Sequence, residues 1–157
     1  MRELSQIRDA VVSALAAEGV AALDAYPDQR ARRYGCPVAA VAVETAESRT
    51  VGFCNYLGEV FDTGAGAPRE LYGKQLEAVI SIEIRGQGCE TAAEVLLGRL
   101  PAGIRPGELN WEALTWERET GLFLRRGRLR CRAYFLARAE EGDTVFLDFR
   151  LKGAVTT

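Results

Sequence analysis

Apolar residues recur along this chain with two different periods, and each change of period marks a new element. Leu4, Ile7, Val11 and Leu15 stand three and four residues apart, the spacing of one helical face, and Gly19 is placed to end that helix. Residues 20–26 read as a short extended piece before Pro27. Residues 38–44 are rich in valine and apolar on both faces, as in a central strand. Residues 47–49 read as a turn, and 50–61 as a second strand interrupted by glycine. The cleanest alternation follows: Ala78, Ile80, Ile82 and Ile84 interleave with Glu77, Val79, Ser81, Glu83 and Arg85. Thr91 and Glu94 have capping-box spacing, and Ala93, Leu96, Leu97 and Leu100 continue at helical period up to Pro101, which predicts a central helix. Residues 109–119, with Trp111 and Trp116, read as extended. Residues 122–138 and 144–152 predict a hairpin around Glu140, Glu141, Gly142 and Asp143, with Val145, Leu147, Phe149 and Leu151 on one side of its second arm. The order is helix, strands, helix, strands. It predicts an α+β fold: a mainly antiparallel β-sheet with an N-terminal helix and a central helix packed on one face, in a single domain spanning 1–157.

The strand at 122–138 carries the most informative pattern. Arg126, Arg128, Arg130 and Arg132 alternate with Gly127, Leu129, Cys131 and Ala133, so a β-strand here presents guanidiniums on one side and small apolar groups on the other. Three readings stand open. The arginines pair across strands with acids such as Glu77, Glu83 or Asp148. Or they form a subunit interface, where the planar guanidinium fork binds carboxylates. Or they contact phosphates. A basic loop with Arg30, Arg32 and Arg33 offers a second charged surface, and such loops are usually solvated.

Composition narrows these choices. The 157 residues carry a net charge of only -2, so no global basic field exists to hold nucleic acid, and any electrostatic role is local. The chain has no histidine, and Cys36, Cys54, Cys89 and Cys131 are widely spaced, which argues against a zinc site. The amphipathic N-terminus is not a secretion leader, and no apolar run approaches membrane-spanning length; a cytosolic protein with reduced, buried thiols is expected. Gly86-Gln87-Gly88 lies between a strand and a predicted helix, but Thr91 stands where a dinucleotide-binding turn needs glycine, so a turn and cap are predicted. Glu112, Glu117 and Glu119 form the only acidic cluster beside the tryptophans; solvated or arginine-paired carboxylates account for it better than a catalytic pair. Cys131 alternates away from its flanking arginines and reads as a buried thiol. No enzyme activity is expected.

Two local strings go further. Leu71-Tyr72-Gly73-Lys74 leads into the alternating strand, and Phe146-Leu147-Asp148-Phe149-Arg150-Leu151-Lys152-Gly153 closes the chain. In these strings and in element order the chain resembles the tail-terminator (tail-completion) proteins of long-tailed bacteriophages, prophages and phage-derived tail-like particles. The resemblance implies a homo-hexameric ring that caps the tail tube, terminates its polymerisation and joins it to the head or neck. It implies tail-tube, sheath or head-connector proteins as partners, no cofactor, no membrane, and DNA only in passage through a lumen. The place implied is the virion tail or neck, assembled in the bacterial host cytoplasm. A ring contact is heterologous, and Glu112, Glu117 and Glu119 opposite Arg126, Arg128, Arg130 and Arg132 are its candidate residues. Asp62, Gly64 and Gly66 lie in a glycine-rich stretch, 62–68, that reads as a flexible docking loop. The alternative function is a nucleic-acid-binding module using the Arg126–Arg132 strand.

Overall fold

Helix α1 (Arg2–Ala17) forms where the apolar spacing places it. It ends as predicted at Gly19, which adopts φ +81°. The Val20 N–H donates to the Leu15 carbonyl and the Gly19 N–H to that of Ala16, a Schellman closure that uses glycine's freedom at positive φ. The computed structural model describes residues 2–23, 35–51, 55–89, 93–138 and 148–152.

Eight strands form the sheet: β1 (Ala21–Leu23), β2 (Val38–Thr50), β3 (Tyr56–Asp62), β4 (Ala67–Arg85), β5 (Ile104–Trp111), β6 (Thr115–Glu117), β7 (Leu122–Arg138) and β8 (Asp148–Leu151). The main path runs β1-β2-β4-β7-β5, with β3 paired to β4, and β6 and β8 paired to β7. Strands β4 and β7 are the spine. They pair antiparallel from Gly73 opposite Leu136 to Arg85 opposite Leu124 without a break in register. The other edge of β7 is shared by three short strands in succession: β6, β5 and β8.

Period-two alternation sorts this sheet into two faces. Leu76, Ala78, Ile80, Ile82 and Ile84 of β4 join Leu129, Cys131, Ala133 and Phe135 of β7 on one side, all buried. Ile7, Val11, Ala14 and Leu15 of α1 close over them, with Leu96 and Ile104 completing the core. Each fully buried aliphatic side chain contributes about 1.5–3 kcal/mol relative to an exposed one. Polar ties fix the helix in place: Lys74 pairs with Glu3, and the Leu151 N–H donates to Gln6 Oε1 at 2.8 Å. The Lys74 ammonium, by hydrogen bonding, holds the Glu3 carboxyl below its ordinary value.

Among the described residues the sheet is mixed but mainly antiparallel: β1 runs parallel to β2, and the other pairings are antiparallel. Three expectations need correction. The described part of the expected central helix is a five-residue 3-10 helix, Ala93–Leu97. Leu96 is fully buried there while Leu97 is 60% exposed, and Gly98, a poor helix former, follows before Pro101; the capping residue Thr91 lies outside the described residues. The turn placed at 47–49 is strand. β2 continues to Thr50 because Glu47, Ser48, Arg49 and Thr50 stay in register with β4, and Arg49 bridges Glu47 and Glu77. The second strand therefore starts later, at Tyr56. The β7–β8 hairpin is present, while its turn, with residues 139–147, lies outside the described residues, as does the basic loop of Arg30, Arg32 and Arg33. Gly86 and Gly88 form the expected turn at φ +108° and +83°.

Gly127 is more than a spacer between arginines. Trp111 pairs with it across β5 and β7, and any Cβ on Gly127 would enter the indole ring. Arg125 stacks on that same indole, its guanidinium 5.7 Å from the ring centroid. Substituting Gly127→Val should therefore destabilise the fold by about 1–3 kcal/mol through overpacking, read as a lower urea midpoint with unchanged m-value; an unchanged midpoint would contradict this packing.

Candidate functional site

Opposite α1, the second face of the sheet carries the arginines. Arg126, Arg128, Arg130 and Arg132 all emerge there, as the alternation predicts, and three meet carboxylates within the subunit. Arg126 Nε lies 2.7 Å from Glu83, and Arg132 Nε lies 3.2 Å from Glu77. Both acids were expected on sequence grounds and sit directly across the strand pair. Arg128 meets Glu44 at 3.1 Å. That partner was not foreseen. The β2 register shifts between Val43 and Thr45, so Glu44 becomes the extra residue of a bulge and its carboxylate reaches over Ser81. Asp148 stands opposite Arg138, past the end of the arginine row. Arg130 has no ion pair or hydrogen bond to any described residue.

At one end of this face lies a buried charge network that sequence reasoning missed. Arg85, 5% exposed, donates Nε and Nη2 to the two carboxylate oxygens of Glu117 at 2.8 and 2.9 Å. It also stands 3.1 Å from Glu83, which links it to Arg126. Thr120 adds its hydroxyl to Glu117 at 2.7 Å. The Arg85 guanidinium, against the opposing effect of burial, holds the Glu117 carboxyl down to about 2, and in turn Glu117 raises the Arg85 pKa. Glu117 is thus a partner of Arg85 within the chain. The proposed interface acids are not one unit: Glu112 is exposed and donates its backbone N–H to the Arg126 carbonyl, and Glu119 is exposed two residues beyond Glu117.

The stretch expected to be a loose loop is a closed hairpin turn. Asp62 Oδ1 accepts the N–H groups of Gly64 at 2.9 Å and Ala65 at 3.2 Å, and its carbonyl accepts Gly66 N–H at 2.8 Å with Gly66 at φ +64°. β3 and β4 pair up to this turn, ending at Asp62 opposite Ala67. The hairpin carries apolar side chains into solvent: Val60 is 53% and Phe61 64% exposed. A second apolar patch lies at the far end of β4, beside Leu124. There Trp116 and Phe123 make an edge-to-face pair at 5.0 Å, and Leu114 lies nearby in sequence. Trp116 is 56% and Phe123 47% exposed. The tryptophans thus divide: Trp111 packs on the core and Trp116 faces out.

Cys131 faces the core, and burial pushes its thiol up to about 11. Cys89 is also buried, and Cys54 lies outside the described residues. Among the described residues no helix is long and apolar enough to cross a membrane. No family model matches the chain, and no curated protein matches it.

The network and the ladder should respond differently to truncation. Arg85→Ala leaves Glu117 and Glu83 without their shared guanidinium and should cost about 3–5 kcal/mol, whereas Arg128→Ala, a surface pair, should cost under about 1 kcal/mol. Glu117 adds a pH signature. Its folded pKa lies below the unfolded value, so its contribution is complete above about pH 4.5 and is lost as pH falls toward 2. Glu117→Gln should flatten the acid limb of a stability–pH profile between those values, a difference of roughly 2–3 kcal/mol. An unchanged acid limb would show that Arg85 does not hold this carboxylate.

Proposed function

We propose that the chain is a ring-forming structural subunit of a tailed bacteriophage or phage-derived tail-like particle, of the tail-terminator type. It acts by assembly: it caps the tail tube, ends its polymerisation and presents a second face to the head or neck. One observation carries this reading beyond the resemblance in sequence strings. The two exposed apolar patches, Val60 with Phe61 and Trp116 with Phe123, lie at opposite ends of β4, the longest strand. At about 3.3 Å per residue they stand roughly 50 Å apart. They are chemically suited to be covered, and they are different from one another. A two-fold dimer joins a patch to itself, whereas two unlike patches at opposite ends favour head-to-tail contact, the kind of contact from which closed rings are built.

The charged face fits the same role. Its ion pairs are mostly satisfied within the subunit, so a ring contact built on the apolar patches does not need the acids at 112, 117 and 119 to neutralise the arginines of a neighbour.

Light scattering and native mass spectrometry of the purified chain should find a ring-sized species, alone or after addition of the particle's tail-tube protein. Adding the chain to polymerising tube protein should shorten the tubes seen by electron microscopy. A chain that stays monomeric at every concentration, and leaves tube length unchanged, would overturn the reading.

A further inference from the structure

The row of arginines is uniform in sequence but not in its surroundings. Arg126, Arg128 and Arg132 have carboxylates, and Arg130 has none among the described residues. Strand β5 makes the imbalance larger. Arg105 stands directly opposite Arg132 in the β5–β7 register, so two like charges face each other across neighbouring strands. That arrangement is unfavourable unless something negative lies between or beside them. Arg105 rests over the Tyr134 ring at 5.4 Å and has no ion pair to a described residue. Between Pro106 and Leu109 the register shifts, so Gly107 and Glu108 bulge opposite Arg130. The bulge brings an acid, but Glu108 accepts a hydrogen bond from Asn110 at 2.9 Å instead.

These side chains surround a depression of about 470 Å³ open to solvent, lined by Arg105, Arg130, Arg132, Tyr134, Gly107 and Glu77. Glu77 is its single carboxylate among the described residues, and it is already shared by Arg132 at 3.2 Å and Arg49 at 3.3 Å. Among the described residues, the positive charge around the depression therefore exceeds what Glu77 answers.

We propose that this depression binds the phosphodiester backbone of a nucleic acid, without reading its bases. Arg130 and Arg105 supply guanidiniums that have no ion pair to any described residue, and Arg132 donates to Glu77 through Nε, which leaves its remaining N–H donors for a second acceptor. Guanidinium forks match phosphate oxygens well. The choice of a polyanion over a single small anion rests on what continues from the site. Along β7, Arg128 and Arg126 repeat on the same face every second residue, about 6.6 Å apart, and their side chains are 70% and 49% exposed. A ligand with regularly repeated charge meets the depression and then this row; an isolated anion meets only the depression. The net charge of -2 does not oppose such local contact; it confines it to this face. The proposal stands apart from ring formation, since a monomer presents the same depression.

The test is fluorescence anisotropy of a labelled 20-nucleotide DNA against the full chain at 50 mM salt, with Arg105→Gln, Arg130→Gln and Arg69→Gln variants. Each of the first two should weaken binding about five- to tenfold and lower the slope of log K against log salt by about 1, from roughly −3 in the native chain. Arg69→Gln, on the β3–β4 hairpin, should bind as the native chain does. A second measurement separates a ligand site from a structural role. Because Arg105 faces Arg132, Arg105→Gln should raise Tm by roughly 1–3 °C in low salt without nucleic acid, while it weakens binding. Absence of binding at 50 mM salt would overturn the proposal, as would binding indifferent to Arg105 and Arg130. So would inorganic phosphate or polyglutamate that competes as well as unlabelled DNA at equal charge concentration.

Discussion

The unbroken pairing of β4 with β7 is the constraint on which the rest of the molecule depends. Thirteen consecutive partners, from Gly73 with Leu136 to Arg85 with Leu124, hold the two strands in one register. Because side chains alternate, that register commits both faces at once. It places the isoleucines of β4 beside Leu129, Cys131 and Phe135 under α1, and it places Glu77 and Glu83 beside Arg132 and Arg126 on the other side. A slip of one residue would drive four arginines into the core. The hydrophobic and ionic halves of the structure therefore specify the same pairing.

The second face shows how unequal similar charges become once placed. Arg85 and Arg126 share Glu83, yet Arg85 is nearly buried and bound by both carboxylate oxygens of Glu117, whereas Arg126 is about half exposed. The first is a structural cation whose removal takes from Glu117 its bidentate partner and leaves Glu83 with Arg126 alone; the second is a surface pair. Arg130 and Arg105, beside the β5 bulge, lack any such compensation among the described residues. Stability is concentrated at one end of the arginine row and unanswered charge at the other.

Much of this was legible in the residues. The α1 stripe, the alternation of β4, the arginine face of β7 and two of its acidic partners, Glu77 and Glu83, follow from periodicity alone. What escaped depended on contacts distant in sequence. Glu44 reaches Arg128 only because a bulge in β2 makes it the extra residue. Arg85 looks like any polar strand position until Glu117 arrives from β6. Arg105 gains its meaning from the residue opposite it. At 62–68 the glycines suggested a loop, and Asp62 accepts their N–H groups to close a turn there. The predicted central helix failed for a related reason: the period at 93–100 is helical and Leu96 and Leu100 meet the core, but Leu97 is exposed and Gly98 interrupts the run.

Those unlike apolar patches at the two ends of β4 lead to the central claim, that this chain assembles head to tail. A mixing experiment tests it most directly. Phe61→Asp spoils one patch and Trp116→Asp the other, and both positions are exposed, so each variant should stay folded. Sedimentation velocity should find each variant monomeric alone, while the equimolar mixture forms a dimer and goes no further, because only one intact pair of unlike patches remains. A mixture that stays monomeric while the native chain assembles, or a variant that forms a dimer with itself, would contradict head-to-tail assembly through these two surfaces.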